Sequence, residues 1–474
     1  MTNALPPGPS ESPFVQAAQF GQDPYAFLER QGRRFGSIFT IRLPGDAPRI
    51  ALSEPALIRQ VFALKPEQIS AARAGFPVNF GERSMLLLDG EAHRRDRALI
   101  MPPLHGERLP GYARAMRDAT TRALDALRPG EEVDLLPLLQ GVTLDVILRC
   151  VFGVDDPVRL ARIRAPVLGW LDRVSVPQVF AAGMMLGWGR VRRFLDAATA
   201  DADAAARHPL RRHLPWNRAG RAKAEVMRWL RDDLLRCRAE GTAGRSDILA
   251  MLADARYEDG SPMDLDQAVD ELVTLLVGGH ETTANTLGWT FAHVLADPAV
   301  RARLRDEREA HFGDGRVDPT RTQGLAYHAA CVEEAMRRTP IAPAIPRVLA
   351  TSLELGGYTL PPDTILFPCT FLAHHREDLW DAPRAFRPER FVEAARVPAD
   401  RFFPFGGGRR ACIGMAFARL EMRVVLATVL ERAELTLCRA ALPRPVVRGM
   451  TVAPDAVRVT YAPRAARPTP RAAA

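Results

Sequence analysis

Lysine is nearly missing from this 474-residue chain: Lys65 and Lys223 are the only two among 64 Lys and Arg residues. Its positive charge is therefore arginine's, a planar fork suited to carboxylate partners. The arginines are scattered, without the aromatic-interleaved stripe of a nucleic-acid surface, and the formal net charge of +8 is modest for this size. Nucleic acid is excluded as an expected partner, while a basic patch for an acidic protein is compatible. No run approaches the ~18 consecutive apolar residues of a spanning helix. The N-terminus reaches Pro6, Pro7 and Pro9 without the apolar stretch of a signal peptide. No membrane anchor is expected, and a soluble, cytoplasmic protein is. Cys150, Cys237, Cys331, Cys369, Cys412 and Cys438 form no C-x-x-C pair, which argues against a disulfide framework or a zinc site and fits a reducing compartment. Linkers, internal repeats and low-complexity breaks are also missing, so 1–462 reads as one domain and the Pro/Arg/Ala-rich 463–474 as a disordered tail.

What is present is mostly helical patterning. Residues 24–31 read as a short helix, and the β-prone runs 37–41 and 49–52 flank Pro44, Gly45 and Asp46 as a hairpin. Helical periodicity dominates from Glu91 to Arg338, in 111–127, 136–152, 221–237 and 264–295. Strand signals return at 345–370 and 435–461, so the expected class is mainly α with a smaller β portion. Residues 272–295 are apolar almost all round a helix and should be buried. Inside them stands Gly278-Gly279-His280-Glu281-Thr282-Thr283. Each interior glycine costs about 1 kcal/mol relative to alanine, and a buried carboxylate needs partners. Hydroxyls that compete for backbone carbonyls beside glycines can open a helix locally and leave room for dioxygen and a water. His280 reads as a plain helix residue, and Thr283 as a helix-bonding hydroxyl.

The most informative stretch is 402–414, FFPFGGGRRACIG. Ile413, Phe417, Leu420, Val424 and Ala427 recur at helical spacing, which puts Cys412 at a helix N-terminus where partial positive charge favours a thiolate. Arg409 and Arg410 push the same way. Gly406, Gly407 and Gly408 can take φ > 0 and carry no Cβ, so their backbone can lie against a flat cofactor. Cys412 is thus a candidate ligand of haem iron, where a thiolate favours oxygen activation over oxygen carriage.

Phe405, Gly408, Arg410, Cys412 and Gly414 fill every fixed position of F-x-x-G-x-R-x-C-x-G, and the chain resembles the cytochromes P450 from roughly residue 35 to 459. The resemblance implies the cytochrome P450 fold and haem b (iron protoporphyrin IX). Residues 278–283 resemble the family's A/G-G-x-D/E-T-T/S motif, which implies that Thr282 orients a proton-donating water and Glu281 relays protons. Glu334 and Arg337 resemble the E-x-x-R element, and Pro388-Glu389-Arg390-Phe391 the P-E-R-F element, which implies a buried Glu334–Arg337–Arg390 triad. His93, Arg97, Arg347 and Arg410 match partners of the haem propionates, His93 standing where many relatives carry Trp.

Substrate lining is implied for 76–88, 179–188, the helix near Val277, 341–348, Met450 and Thr451, with Met184 and Met185 as an adaptable lid. These segments are mainly apolar, and the run 85–109 looks like a bacterial subgroup acting on fatty acids, alkanes and terpenoids. The expected function is a monooxygenase that inserts one atom of dioxygen into a lipophilic small molecule by hydroxylation or epoxidation. A haem-thiolate peroxygenase or isomerase, or a non-catalytic haem or lipid sensor, is the alternative. Flavin and nicotinamide fingerprints are missing, so electrons are expected from a separate ferredoxin or flavodoxin supplied by an NAD(P)H reductase. Arg94, Arg95, Arg409, Arg419 and Arg423 are its expected docking patch.

Overall fold

Aspartate, proline and glycine set the helix ends. Asp23 accepts from Ala26 N at 2.9 Å to start the helix Pro24–Phe35, and Gly36 at φ +85° ends it, one turn beyond the expected limit. In the computed structural model, residues 5–45, 47–71, 80–313, 316–393, 399–449 and 451–464 are described. The expected helical segments appear as Leu109–Asp125, Leu135–Cys150, Pro215–Glu240 and Leu265–Ala296. Asp264 caps the last of these through Asp266 N and Gln267 N. At 32 residues this central helix is about 48 Å long, and its second half is buried almost all round.

Twelve strands are described: β1 Ile38–Ile41, β2 Arg49–Leu52, β3 Ile69–Ser70, β4 Glu132–Asp134, β5 Arg347–Leu349, β6 Leu353–Leu355, β7 Tyr358–Leu360, β8 Ile365–Pro368, β9 Ala433–Leu437, β10 Pro445–Arg448, β11 Thr451–Pro454 and β12 Arg458–Pro463. A five-stranded sheet has the order β1-β2-β8-β5-β3. Its β1–β2 hairpin sets Ile38 opposite Leu52, and β2 runs parallel to β8 with Arg49 opposite Ile365. The hairpin is as expected, although Asp46 lies outside the described residues. A three-stranded sheet has the order β4-β12-β9, and β10–β11 and β6–β7 are two-stranded pairs.

The end of the chain differs from expectation. Pro463 pairs with Ala433, Arg464 N donates to Arg432 O at 2.8 Å, and its guanidinium meets Glu434 at 2.6 Å. Residue 463 thus belongs to the sheet and Arg464 is tied to its edge, because strand pairing carries on past the change in composition at 462. Residues 465–474 lie outside the described set. Among the described residues no helix is long and apolar enough to cross a membrane.

Candidate haem site and substrate cavity

A cavity of about 520 Å³ separates the central helix from the loop 402–414. On the loop side Cys412 N donates to Phe405 O at 3.0 Å and Ala411 N to Gly408 O at 3.1 Å. Gly414 caps the helix Met415–Arg432, so Cys412 stands three residues ahead of it. Phe405, Gly406, Arg410, Cys412 and Gly414 line the cavity, and the Cys412 side chain is open to it. Protein packed around the cavity pushes the thiol pKa up, while the Gly414 backbone and Arg97 pull it down. The cation that favours the thiolate is therefore Arg97. Arg409, which the sequence put in that role, is exposed, and Arg410 is turned toward other partners.

The glycines answer to a different neighbour than expected. Gly406 and Gly408 have φ of +70° and +66°, whereas Gly407 is extended at −166°. A Cβ on Gly408 would stand 1.9 Å from Phe62 O, and one on Gly407 2.6 Å from Phe62 Cδ2. Close approach to the helix Pro55–Phe62 demands them, and Gly408 is not part of the cavity wall.

On the opposite wall the central helix stays continuous through the glycine–threonine motif; it does not open. The Thr282 hydroxyl donates to Gly278 O at 2.5 Å alongside the helical ladder, without breaking it. Gly278 faces open space, whereas a Cβ on Gly279 would meet Ile147 Cδ1 at 2.5 Å, so the second glycine lets the helix Leu135–Cys150 approach. His280 points into that contact, with Nδ1 3.1 Å from Thr143 Oγ1, and burial lowers its pKa to about 4. It is the plain helix residue expected. Thr283 lines the cavity but makes no hydrogen bond among the described residues, so it is not the helix-bonding hydroxyl expected. Burial raises the pKa of the half-buried Glu281; the Ser175 hydroxyl beside it and Arg448 act the other way, and Asp172 adds to the rise.

Five basic side chains line the cavity among the described residues, Arg49 and the four singled out from the sequence: His93, Arg97, Arg347 and Arg410. Arg410 bonds Met85 O at 3.3 Å, Leu88 O, and Asp89 Oδ1 at 3.0 Å. Arg347 donates to Pro346 O at 2.9 Å and stacks on Phe62, but its buried Nη2 has no partner among the described residues. Arg97 has no acceptor among the described residues. Burial lowers Arg347 to about 10, and it lowers His93 to about 4 with help from Arg410 and Arg97. Guanidiniums gathered with so few acceptors call for an anion. A flat iron porphyrin carrying two carboxylates fits this donor set, with a thiol on one face and a glycine gap on the other.

Behind the loop, Glu334 and Arg337 are fully buried and joined at 2.7 and 2.9 Å. Arg390 Nε donates to Glu334 Oε1 at 3.1 Å, and Arg387 N to the same oxygen at 2.9 Å. The expected triad is present, with a backbone N–H as fourth member.

The family model described as Cytochrome P450 matches residues 6–459. The chain belongs to the cytochrome P450 family. Cytochrome P450 135B1 of Mycobacterium tuberculosis is 33% identical over 453 residues, covering 95% of this chain and 89% of that protein. Cytochrome P450 138 of Mycobacterium bovis is 32% identical over 452 residues, covering 95% and 94%. Among solved structures, retinoic acid bound cyanobacterial CYP120A1 shares the fold with a TM-score of 0.77 at 22% identity, covering 98% of this chain and all of that one. As a P450, the protein is a haem-dependent monooxygenase, an oxidoreductase that uses dioxygen and takes electrons from redox partners.

The P450 lining was legible only in part. Phe80, Met85, Leu86, residues 341–347 and Thr451 line the cavity, while 72–79 and Met450 lie outside the described residues. The helix near Val277 lines the cavity as expected, through Thr274, Leu275, Gly278 and Gly279, while Val277 itself is packed in the core. No described side chain of 179–188 reaches the cavity. Met185 and Leu186 are 58% and 55% exposed, and the Met184 side chain is not described. Phe20, Ile41, Leu43 and Phe367 were missed, because only the five-stranded sheet and the helix Pro13–Gln22 bring them together.

The expected docking arginines are largely engaged. Arg94 meets Glu91 at 2.6 Å, Arg95 meets Asp259 at 3.2 Å, and Arg419 meets Glu333 at 2.6 Å. Arg423 is half-buried, which leaves Arg409 exposed without an acidic partner among the described residues.

Proposed function

We propose that this P450 oxygenates a lipophilic small molecule of the fatty-acid or terpenoid kind, by hydroxylation or epoxidation, with Cys412 as the ligand of the haem iron. The observation that carries the proposal is the Cys412 thiol opening into a mainly apolar cavity whose facing wall is Gly278 and Thr282. Bound there, haem supplies oxygen activation, which a thiolate ligand favours. His93, Arg97, Arg347 and Arg410 would hold its propionates. Thr282 commits its proton to Gly278 O, so its lone pairs are left to orient a water at the cavity face. Burial raises the Glu281 carboxyl above the ordinary carboxylate range, the direction that lets it hold and pass on a proton nearer neutral pH. The apolar wall excludes bulk water and selects lipophiles.

The reduced carbonyl spectrum of the purified protein tests the ligand: a thiolate spectrum in the parent, lost in Cys412→Ser, is expected. An imidazole-type spectrum, or one unmoved by the serine, overturns the assignment. Thr282→Ala is expected to lose electrons as hydrogen peroxide at full haem content, and unchanged coupling to product removes the proton role. Shifts of the haem spectrum on adding fatty acids, terpenes or steroids identify the substrate class. A separate ferredoxin or flavodoxin supplies electrons in this reading. Since most of the expected arginines are neutralised, Arg409→Gln is the sharpest probe of docking. Slower reduction by the ferredoxin, with a weaker dependence on salt, supports it; a parent-like rate removes it.

A further inference from the structure

Residues 80–89 supply one cavity wall through Phe80, Met85 and Leu86, yet they are turns without a helix or strand of their own. Side chains of the central helix hold them instead. Asp270 Oδ2 accepts from Arg83 N at 3.0 Å, Glu271 Oε1 accepts from Met85 N at 2.6 Å, and the Thr274 and Ser84 hydroxyls lie 2.7 Å apart. The approach is close enough that a Cβ on Gly81 would fall 1.8 Å from Asp270 Cγ. From the other side Arg410 takes the carbonyls of Met85 and Leu88. Met85 is therefore held at both ends of its backbone, its N–H by the central helix and its C=O by the cysteine loop.

Glu271 is the costly member of this clasp. It is fully buried, its Oε2 has no partner among the described residues, and an unsatisfied buried polar atom costs about 1–3 kcal/mol. Leucine or methionine would fill the same space without that penalty, so the carboxyl is offset only by what it holds. We propose that Glu271, backed by Asp270 and Thr274, is a positioning residue that sets substrate specificity by fixing Met85 and Leu86 at the cavity wall. The inference rests on the monooxygenase reading of the cavity given above. Burial, with Asp96 nearby, pushes the Glu271 carboxyl well above the ordinary carboxylate range. Glutamine then imitates it closely and keeps the acceptor for Met85 N–H, whereas methionine keeps only the volume.

The test uses haem-loaded parent, Glu271→Gln and Glu271→Met, with the reduced carbonyl spectrum taken on each. Two probes are titrated, imidazole and 1-dodecylimidazole, which share a haem-binding head while only the second reads the wall. Trypsin cleavage after Arg83 reports the clasp without any ligand. Glu271→Met is expected to weaken 1-dodecylimidazole about tenfold, to leave imidazole within about twofold and to expose Arg83 to trypsin, with Glu271→Gln close to the parent. Parent-like dodecylimidazole affinity and a protected Arg83 in Glu271→Met overturn the proposal, as does a glutamine variant no better than the methionine one. If Glu271→Met fails to fold, Thr274→Val, which keeps the shape and removes the Ser84 contact, decides on the same readouts: weaker dodecylimidazole supports, parent-like binding overturns. A parent lacking the thiolate spectrum defeats the function proposed above and leaves the tryptic result to judge the clasp.

Discussion

Arg337 and Arg347 lie ten positions apart and have opposite surroundings. Arg337 is fully buried with its donors spent on Glu334, on His374 O at 2.8 Å and on Ala385 O at 3.2 Å, under the ring of Trp380. Arg347 opens on the cavity and, among the described residues, bonds only the carbonyl before it, with Nη2 unpartnered. The first is a closed network whose partners the chain supplies; the second is an open one whose partner must come from outside. The same residue type thus serves architecture in one place and, in the function proposed above, a ligand site in the other, and satisfied donors tell them apart.

Breaking the closed network has the largest expected effect. Glu334→Ala strands Arg337 in the interior and should cost about 3–5 kcal/mol of stability, read by denaturant unfolding, with haem lost in parallel. Removing the open cation should do the reverse: Arg347→Leu leaves the haem-free protein at least as stable as the parent but speeds haem transfer to apomyoglobin about 10- to 100-fold. Equal destabilisation by both variants would erase the distinction.

A buried imidazole sharpens it. His280 keeps a folded-state pKa of about 4, below the unfolded value, so its neutral form is favoured above the unfolded pKa and the unfolded chain binds the extra proton as pH falls. Between pH 7 and 5 this group should remove about 2 kcal/mol of stability, and His280→Asn should flatten the slope by that amount in urea titrations. Smallest of all is Arg94→Gln, which breaks exposed pairs with Glu91 and Glu258 and should leave the unfolding midpoint unmoved at physiological salt.

Legibility followed sequence distance. The Cys412 loop, Gly278–Thr282 and the Glu334–Arg337 pair are short-range patterns, whose spacing on a turn or one helix face already states their geometry. Gly408 was assigned to the cofactor, although its lack of a side chain answers to Phe62, some 350 residues earlier. The docking arginines failed for a similar reason: Asp259 and Glu333 reach Arg95 and Arg419 only in the folded chain. Glu271 left no local signal, because a carboxylate in an apolar helix says nothing about which backbone N–H it will meet.

By itself the order of residues determined the family, the helical class and the haem, and it singled out the thiol proposed as its ligand, since motif spacing and hydrophobic period are properties of neighbours along the chain. The tertiary structure alone decided which arginines keep unspent donors, which side chains wall the cavity, and how the turns at 80–89 are held. Those outcomes depend on contacts between segments hundreds of positions apart, and a hydrogen bond or an orphaned donor exists only once both sides have been brought within about 3 Å.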